Sequence, residues 1–215
     1  YLRKMCPELS SLSLFECNVT DDGMKNLCYV NRKKVGFDSL KVLNIEKTKV
    51  KSNGIAYILR NLKLQVIKYP EIATILYYFH LSKVNKSVDV SKIYELKELE
   101  YSSNKLLSTI SFLKILEVWV NMCPNVEKLA VVDWLSECDF ELCLRFENLN
   151  SFKFAELPNS GNPAKEGLAY FIENQGVKLT ELVLQIVSVS VEVIGRVCLN
   201  LKKLTLNNII YQDID

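Results

Sequence analysis

Seven cysteines and one histidine are the side chains of this 215-residue chain that could ligate a metal ion or act as nucleophiles. No two cysteines have the C-x-x-C spacing of common zinc sites, since the closest pair, Cys138 and Cys143, lies five residues apart. The odd number of cysteines and the length of the chain also argue against a disulfide framework. We therefore expect reduced cysteines that pack as small apolar side chains, which is typical of a cytoplasmic or nuclear protein.

The other polar residues do not form a recognisable catalytic set. His80 lies in the apolar segment 77–81, which favours a structural role. The sequence has no G-x-S-x-G nucleophile motif, no G-x-x-x-x-G-K-[ST] phosphate loop and no G-x-G-x-x-G motif. Its carboxylates are scattered, so their spacing indicates no acid–base pair. We predict that the protein is not an enzyme and uses neither a metal nor a cofactor.

Composition narrows the function classes further. The chain has 27 lysines and arginines against 25 aspartates and glutamates, whereas a nucleic-acid-binding surface is usually strongly basic. No apolar run approaches the roughly 18 residues of a membrane-spanning helix. We therefore predict neither a nucleic-acid partner nor a membrane span. The chain also has only 7 glycines and 5 prolines, where average usage would give about 15 and 11, so other residues must form its turns.

The elements that position these residues follow from an internal repeat. The apolar pattern L-x-x-L-x-L is clearest in the copies that begin at Leu9, Leu40 and Leu179. Eight copies, one of them weak, begin at positions 9, 40, 64, 96, 126, 149, 179 and 201, with a mean spacing of about 27 residues. The second and third apolar positions are two residues apart, so a strand points both to one side. Parallel strands that stack through this side bury a continuous core.

Helical patterns separate the predicted strands. Two helices should follow the segments 20–23 and 48–54, and further helices are predicted near 71–81, 106–122, 164–174 and 189–199. The stretch 133–147 is compatible with a short helix or an irregular crossing. The stretch 157–163 contains two prolines and is predicted to be an exposed loop. The basic run 32–34 is predicted to be a solvated loop.

The first repeat has a specific signature. Cys6-Pro7 precedes the predicted strand, Cys17 follows it, and the segment Thr20-Asp21-Asp22-Gly23 opens the next helix. Cys123-Pro124 repeats the first half of this pattern, and Cys198 repeats it without the proline. The pattern resembles the cysteine-containing leucine-rich repeat. In later copies Thr48 and Asn104 replace Cys17, and such small side chains can bond backbone groups in the turn.

The resemblance implies a fold and a function. The fold would be an α/β leucine-rich repeat solenoid over residues 1–215, a horseshoe of about eight irregular repeats with a concave parallel sheet and convex helices. This repeat type is similar to the substrate-binding region of F-box/LRR proteins, the adaptors of SCF ubiquitin ligases. An F-box that binds Skp1, and through it the cullin, would then lie upstream of Tyr1. The alternative is a non-ligase scaffold or an innate-immune sensor repeat.

The outward positions of the predicted strands are candidates for partner binding, because open solenoids commonly bind ligands on the concave sheet. Glu46, Glu98 and Glu100 form an acidic zone, and Ala130, Val132 and Ala155 form an apolar zone near two lysines. A protein or peptide with complementary charge and an apolar anchor would suit this surface, although ordinary solvated strand residues would show the same pattern. The candidates are Phe15, Asn44, Glu46, Lys68, Glu98, Glu100, Lys128, Val132, Lys153 and Gln185.

The two tryptophans differ in the role that their positions favour. Trp119 lies in a predicted helix, and core packing is favoured over contact with a ligand. Trp134 directly follows the fifth strand, where a core position and a position at an interface are equally compatible with the sequence.

Overall fold

The structure, a computed structural model, describes residues 5–30, 33–34, 37–81, 93–102, 111–133, 135–156 and 164–209. The chain divides into two compact units, Tyr1–Glu98 and Leu99–Asp215. Parallel strands alternate with helices in both units, so the predicted α/β class is confirmed. No helix in the described ranges combines the length and the apolar character that crossing a membrane requires.

The first unit contains a parallel sheet of three short strands. The order of the sheet is β1-β4-β5, and it pairs Leu12 with Leu43 and Leu43 with Ile67. A separate two-stranded antiparallel ribbon joins β2 to β3. The prediction of a loop at 32–34 is therefore wrong for Lys33 and Lys34, and Arg32 lies outside the described residues. The elements are β1 (Ser11–Ser13), α1 (Asp21–Cys28), β2 (Tyr29–Val30), β3 (Lys33–Lys34), β4 (Val42–Asn44), α2 (Ser52–Asn61), β5 (Val66–Lys68) and α3 (Ile72–Leu81).

The five-stranded sheet has the order β10-β9-β8-β7-β6, and strands β7 to β10 are parallel. The ambiguous stretch 133–147 contains a short helix, and the predicted loop 157–163 and Trp134 lie outside the described residues. The elements are β6 (Glu98–Ser102), α4 (Phe112–Met122), β7 (Lys128–Val132), α5 (Glu137–Cys143), β8 (Ser151–Ala155), α6 (Ala164–Gln175), a 3-10 turn (Gly176–Lys178), β9 (Glu181–Gln185), α7 (Val191–Val197) and β10 (Lys203–Asn207).

The predicted helices near 71–81, 164–174 and 189–199 are confirmed as α3, α6 and α7, and α4 covers the described part of 106–122. Helix α5 begins with a capping box. Ser136 N donates to Asp139 Oδ2 at 2.7 Å, and Asp139 N donates to Ser136 Oγ at 3.4 Å. These bonds satisfy backbone groups that a helix N-terminus leaves without partners, which explains why a seven-residue helix forms here.

The predicted inward positions are buried wherever a strand has a neighbour on each side. Leu43, Phe152 and Leu182 are all 0% exposed. The first and last strands differ, because Leu12 is only half-buried and Leu204 is 42% exposed. β1 and β10 each pair with one strand only, so less of their apolar surface is covered. Ile67 on β5 and Leu99 on β6 are buried although these strands also lie at the ends of their sheets.

The same backbone hydrogen bond recurs at the start of successive strands. In each case the residue after the first apolar position donates its N–H to the equivalent residue of the preceding copy. In the first unit these bonds are Lys41 to Ser10 at 2.8 Å, Gln65 to Lys41 at 2.8 Å and Lys97 to Gln65 at 2.7 Å. In the second unit they are Asn150 to Glu127 at 2.9 Å, Thr180 to Asn150 at 2.8 Å and Lys202 to Thr180 at 2.8 Å.

A left-handed residue follows several strands at one repeat position, two residues after the third apolar position. Glu16, Lys47, Ile186 and Asn208 have φ values of 58°, 54°, 56° and 52°. This conformation costs a residue other than glycine roughly 1–2 kcal/mol. In the second copy, Thr48 Oγ1 donates to Ile45 O at 2.7 Å, as predicted for the residue that replaces Cys17. Turns formed without glycine thus agree with the low glycine content.

All seven cysteines are free thiols, but only four of them are buried. Burial raises the pKa of Cys123 to about 12 and also raises the pKa values of Cys143 and Cys198, which keeps these thiols protonated. The prediction of burial is wrong for Cys6, Cys17 and Cys138, which are exposed. Cys6 and Cys17 flank the terminal strand β1, and Cys138 lies in the first turn of α5 beside other exposed residues.

Candidate functional site

The outward side chains of β7 to β10 form a surface with defined rows, which we call the outward face. The strands are in register, so equivalent positions of neighbouring strands lie side by side. The first row contains Lys128, Ser151, Glu181 and Lys203, the middle row contains Ala130, Lys153, Val183 and Thr205, and the last row contains Val132, Ala155, Gln185 and Asn207.

The first row holds an ion pair. Lys203 Nζ lies 2.5 Å from Glu181 Oε1, and Ser151 Oγ donates to Glu181 Oε2 at 2.8 Å. These two hydrogen bonds, with that from Lys203 the stronger, lower the pKa of Glu181, and the charge of Lys128 adds to the effect. Glu181 is therefore a carboxylate at neutral pH, and both of its oxygens are already engaged.

The middle row places one cation between apolar neighbours. Lys153 is exposed, and the side chains beside it in the row are those of Ala130 and Val183. Neighbouring strands lie about 4.8 Å apart, so both apolar side chains are within reach of a group that contacts the lysine. Lys153 has no ion-pair or hydrogen-bond partner among the described residues.

Two predicted outward side chains are more enclosed than expected. Ser151 is 9% exposed and Ala155 is 6% exposed. Both lie on β8, the middle strand of the sheet, and both are short. Longer side chains flank them, such as Glu181 beside Ser151 and Gln185 beside Ala155. The expectation that Ala155 offers apolar surface is therefore wrong, and Val132, which is half-exposed, remains the apolar candidate in the last row.

The predicted site residues divide between the two units. Lys128, Val132, Lys153 and Gln185 lie on the outward face. Glu100 is exposed and Glu98 half-buried, both on β6, the strand next to β7. The first unit, of which Glu98 is the last residue, contains the other four candidates. Asn44 lies beside Lys68, which is exposed, whereas Phe15 and Glu46 follow the ends of β1 and β4.

The first unit also shows a cluster that sequence reasoning missed. Lys47 Nζ lies 4.7 Å from the ring centre of Phe15 and 2.6 Å from Glu16 Oε1. Phe15 is 42% exposed, so part of its ring is open to solvent beside this lysine. Both Glu16 and Lys47 occupy the left-handed turn position, and the repeat offset alone would have placed them side by side.

Two cavities are lined by residues that do not belong to the outward face. One, of about 210 Å³, is lined by Asp38, Arg60 and residues of the segment 93–96. The other, of about 230 Å³, lies between α5 and α6 and is lined by Glu137, Glu141, Glu166, Gly167 and Tyr170. Sequence patterns predict neither cavity, because each forms only where separate segments meet.

The histidine, cysteine and carboxylate side chains of the described residues do not converge on a metal site. Within the described residues there is no group of three or more histidine, cysteine, aspartate or glutamate side chains that could hold a metal. His80 is exposed in the last turn of α3. Trp119 is 0% exposed, and its ring centre lies 6.2 Å from that of Tyr101 and 6.0 Å from that of Phe112, so its predicted core position is confirmed.

Comparisons with protein families and with curated proteins identify no family for this chain. No model of a protein family matches it, and no curated protein matches it. The leucine-rich repeat assignment thus stays a prediction that depends on the residues described above.

Proposed function

We propose that this chain is a leucine-rich-repeat-type solenoid that recognises a protein partner. The repeated sequence pattern supports a repeat fold, as do the N–H bonds that recur at one position of successive copies. The left-handed residues at a constant offset after the strands give independent support. Together they fit a unit that is built several times along the chain, in which each copy contacts its neighbours.

The observation that carries the recognition role is the middle row of the outward face. It presents an exposed lysine between two apolar side chains on a regular sheet. Such a mixture of charge and apolar surface suits a protein interface, in which charge sets the orientation and apolar contacts provide affinity. Acid–base or metal chemistry would instead require convergent titratable groups, so we propose a binding protein and not an enzyme.

The resemblance to F-box/LRR proteins favours ubiquitin ligation as the pathway in which this recognition takes place. We propose that the outward face is the substrate-binding surface of an SCF-type ubiquitin-ligase adaptor in the cytoplasm or nucleus. Skp1 and a cullin would then associate through a different part of the full-length protein. Nucleic acid is not the proposed partner, because the charges of the chain nearly balance.

Affinity capture of the full-length protein from cells, followed by quantitative mass spectrometry, tests both parts of this proposal. The face variant carries Lys153→Glu and Val183→Glu. The control carries Lys114→Glu, a charge reversal at an exposed position of helix α4. We expect Skp1 and a cullin with all three proteins, and a substrate that is captured by the wild type and the control but lost by the face variant.

Two results would contradict the proposal separately. Absence of Skp1 and cullin from the wild-type capture would overturn the ligase role and favour a non-ligase scaffold. A face variant that melts like the wild type and captures the same proteins would overturn the outward face as the recognition surface.

A further inference from the structure

We infer that the partner of the outward face supplies an extended peptide segment in which a carboxylate side chain and an apolar side chain lie two residues apart. The carboxylate would pair with Lys153, and the apolar side chain would pack on Val183. This inference rests on the proposed recognition role of the outward face and specifies the chemistry of its partner.

The charges of the outward face favour an acidic partner. Its strands β7 to β10 contribute three lysines, Lys128, Lys153 and Lys203, but only one carboxylate, that of Glu181. Glu181 is already bound by Lys203 and Ser151. The strand next to β7 adds two carboxylates, Glu98 and Glu100 on β6, so the acidic group of a partner is expected at Lys153, which lies on β8 and which the described residues leave without a counter-charge.

The neighbours of Lys153 favour a peptide over a phosphate-bearing ligand. Val183 and Ala130 flank the lysine at one strand spacing on either side, about 4.8 Å. Side chains alternate between the two faces of an extended peptide, so residues i and i+2 lie on one face about 6.6 Å apart, and an acidic residue and an apolar residue with this spacing can reach Lys153 and Val183 together. A phosphate would use the lysine but would leave both apolar neighbours exposed to water.

The enclosure of Ser151 and Ala155 adds a steric argument. Both short side chains lie on the same strand as Lys153, one in each adjacent row, and both are nearly buried. Along β8 the lysine is thus the one outward side chain that extends to solvent. A contact made there depends on this side chain and not on its neighbours along the strand.

Selection from a displayed library of random dodecapeptides, with the intact chain as bait, tests the inference. We expect the selected peptides to share an acidic residue two positions from an aliphatic or aromatic residue. Lys153→Glu should weaken their binding by at least about tenfold, and Lys153→Met should also weaken it. A peptide whose acidic residue is changed to lysine should regain binding to Lys153→Glu. Lys114→Glu serves as the matched control and should bind like the wild type.

The outcomes separate this inference from the proposed function. Peptides that lose binding to Val183→Glu but lack an acidic residue, or that bind Lys153→Glu unchanged, would overturn the inference and leave the recognition surface in place. Peptides that are insensitive to both Val183→Glu and Lys153→Glu would overturn the recognition surface itself. Failure to select any peptide would overturn the extended-peptide partner. Circular dichroism of each variant identifies a loss of binding that is caused by misfolding.

Discussion

The two sheets bury different kinds of side chain behind strands with the same apolar pattern. In the first unit the inward layer is aliphatic, with Leu43 and Ile67 on neighbouring strands. In the second unit β8 supplies two phenylalanines, Phe152 and Phe154, and the helices add Phe140 and Phe171. The ring centres of Phe152 and Phe171 are 4.5 Å apart, and those of Phe140 and Phe154 are 5.4 Å apart.

This difference shows what the repeat pattern requires and what it leaves open. The pattern fixes which side of each strand faces inward, but either leucine or phenylalanine satisfies it. A phenylalanine buries about 150–250 Å² and makes directional ring contacts, so each one contributes more packing than a leucine. The sheet of the second unit should therefore depend more on single large side chains than the sheet of the first unit does.

Truncation of one inward side chain in each sheet tests this comparison most strongly. Phe152 and Leu43 are both 0% exposed and occupy the same repeat position. We expect Phe152→Ala to lower the free energy of unfolding by about 4 kcal/mol and Leu43→Ala by about 3 kcal/mol, because the larger side chain leaves the larger cavity. Urea denaturation followed by circular dichroism and tryptophan fluorescence measures both values.

Phe152→Leu is the matched control and should recover most of the loss, since it keeps an apolar group of intermediate size. A Leu43→Ala loss equal to or larger than that of Phe152→Ala would show that the aromatic cluster gives the second unit no special dependence on single residues.

The close approach of helices is, by contrast, a feature that both units share. A Cβ atom at Gly54 would lie 3.2 Å from Asp21 Cα, and one at Gly167 would lie 3.0 Å from Glu137 Cα. We expect Gly54→Ala and Gly167→Ala each to destabilise the protein by about 1–3 kcal/mol through overpacking. A Cβ at Gly195 in α7 would meet no atom within 4 Å, so Gly195→Ala should stabilise by about 0.5–1 kcal/mol.

Thermal melting of the three variants separates these effects. A rise in melting temperature for Gly54→Ala or Gly167→Ala would mean that the helices can move apart at little cost, and would remove close helix packing from the features that the two units have in common.

Much of the inward register could be predicted from the sequence, because side chains alternate along a strand and one face must be apolar. Leu129 and Phe154 are buried for this reason. The exposure of Leu204, Cys6 and Cys17 could not be predicted in this way, since it depends on which other elements cover each position and not on the alternation along one strand. The antiparallel ribbon β2–β3 was also missed, because its two-residue strands are too short to show a period.

The candidate site could be predicted in part, because the same alternation of side chains along a strand also identifies the outward positions. The repeat placed Lys128, Lys153 and Gln185 correctly on one side of the sheet. The hydrogen bonds from Lys203 and Ser151 to Glu181 depend on the cross-strand register and on the length of each side chain. An apolar sequence pattern specifies neither. The burial of Ser151 likewise follows from the length of the neighbouring side chains and not from its own position.

The smallest expected effect concerns two lysine–glutamate pairs, one in each unit. Lys203–Glu181 is 2.5 Å long and Lys47–Glu16 is 2.6 Å long, but the side chain of Glu181 is 29% exposed whereas that of Glu16 is 58% exposed. Glu181 also accepts a hydrogen bond from Ser151. We expect Glu181→Gln to cost less than about 1 kcal/mol near neutral pH, because solvent screens both partners, and Glu16→Gln to cost less than that.

The pH dependence of the stability that Glu181→Gln loses identifies the cause of this loss. The hydrogen bonds from Lys203 and Ser151 hold the pKa of Glu181 in the native state below its ordinary value of 4.5. A carboxylate with a lowered native pKa stabilises the fold above its unfolded pKa, and this contribution is lost as the pH falls through the native pKa. The difference between wild type and Glu181→Gln in urea denaturation should thus be present at about pH 7 and shrink as the pH falls below the ordinary value and through the native pKa. A difference that persisted in acid would have to come from the shape of the side chain, because protonated glutamate and glutamine are nearly isosteric and both uncharged. It would also mean that the first row of the outward face is held by packing and not by the ion pair.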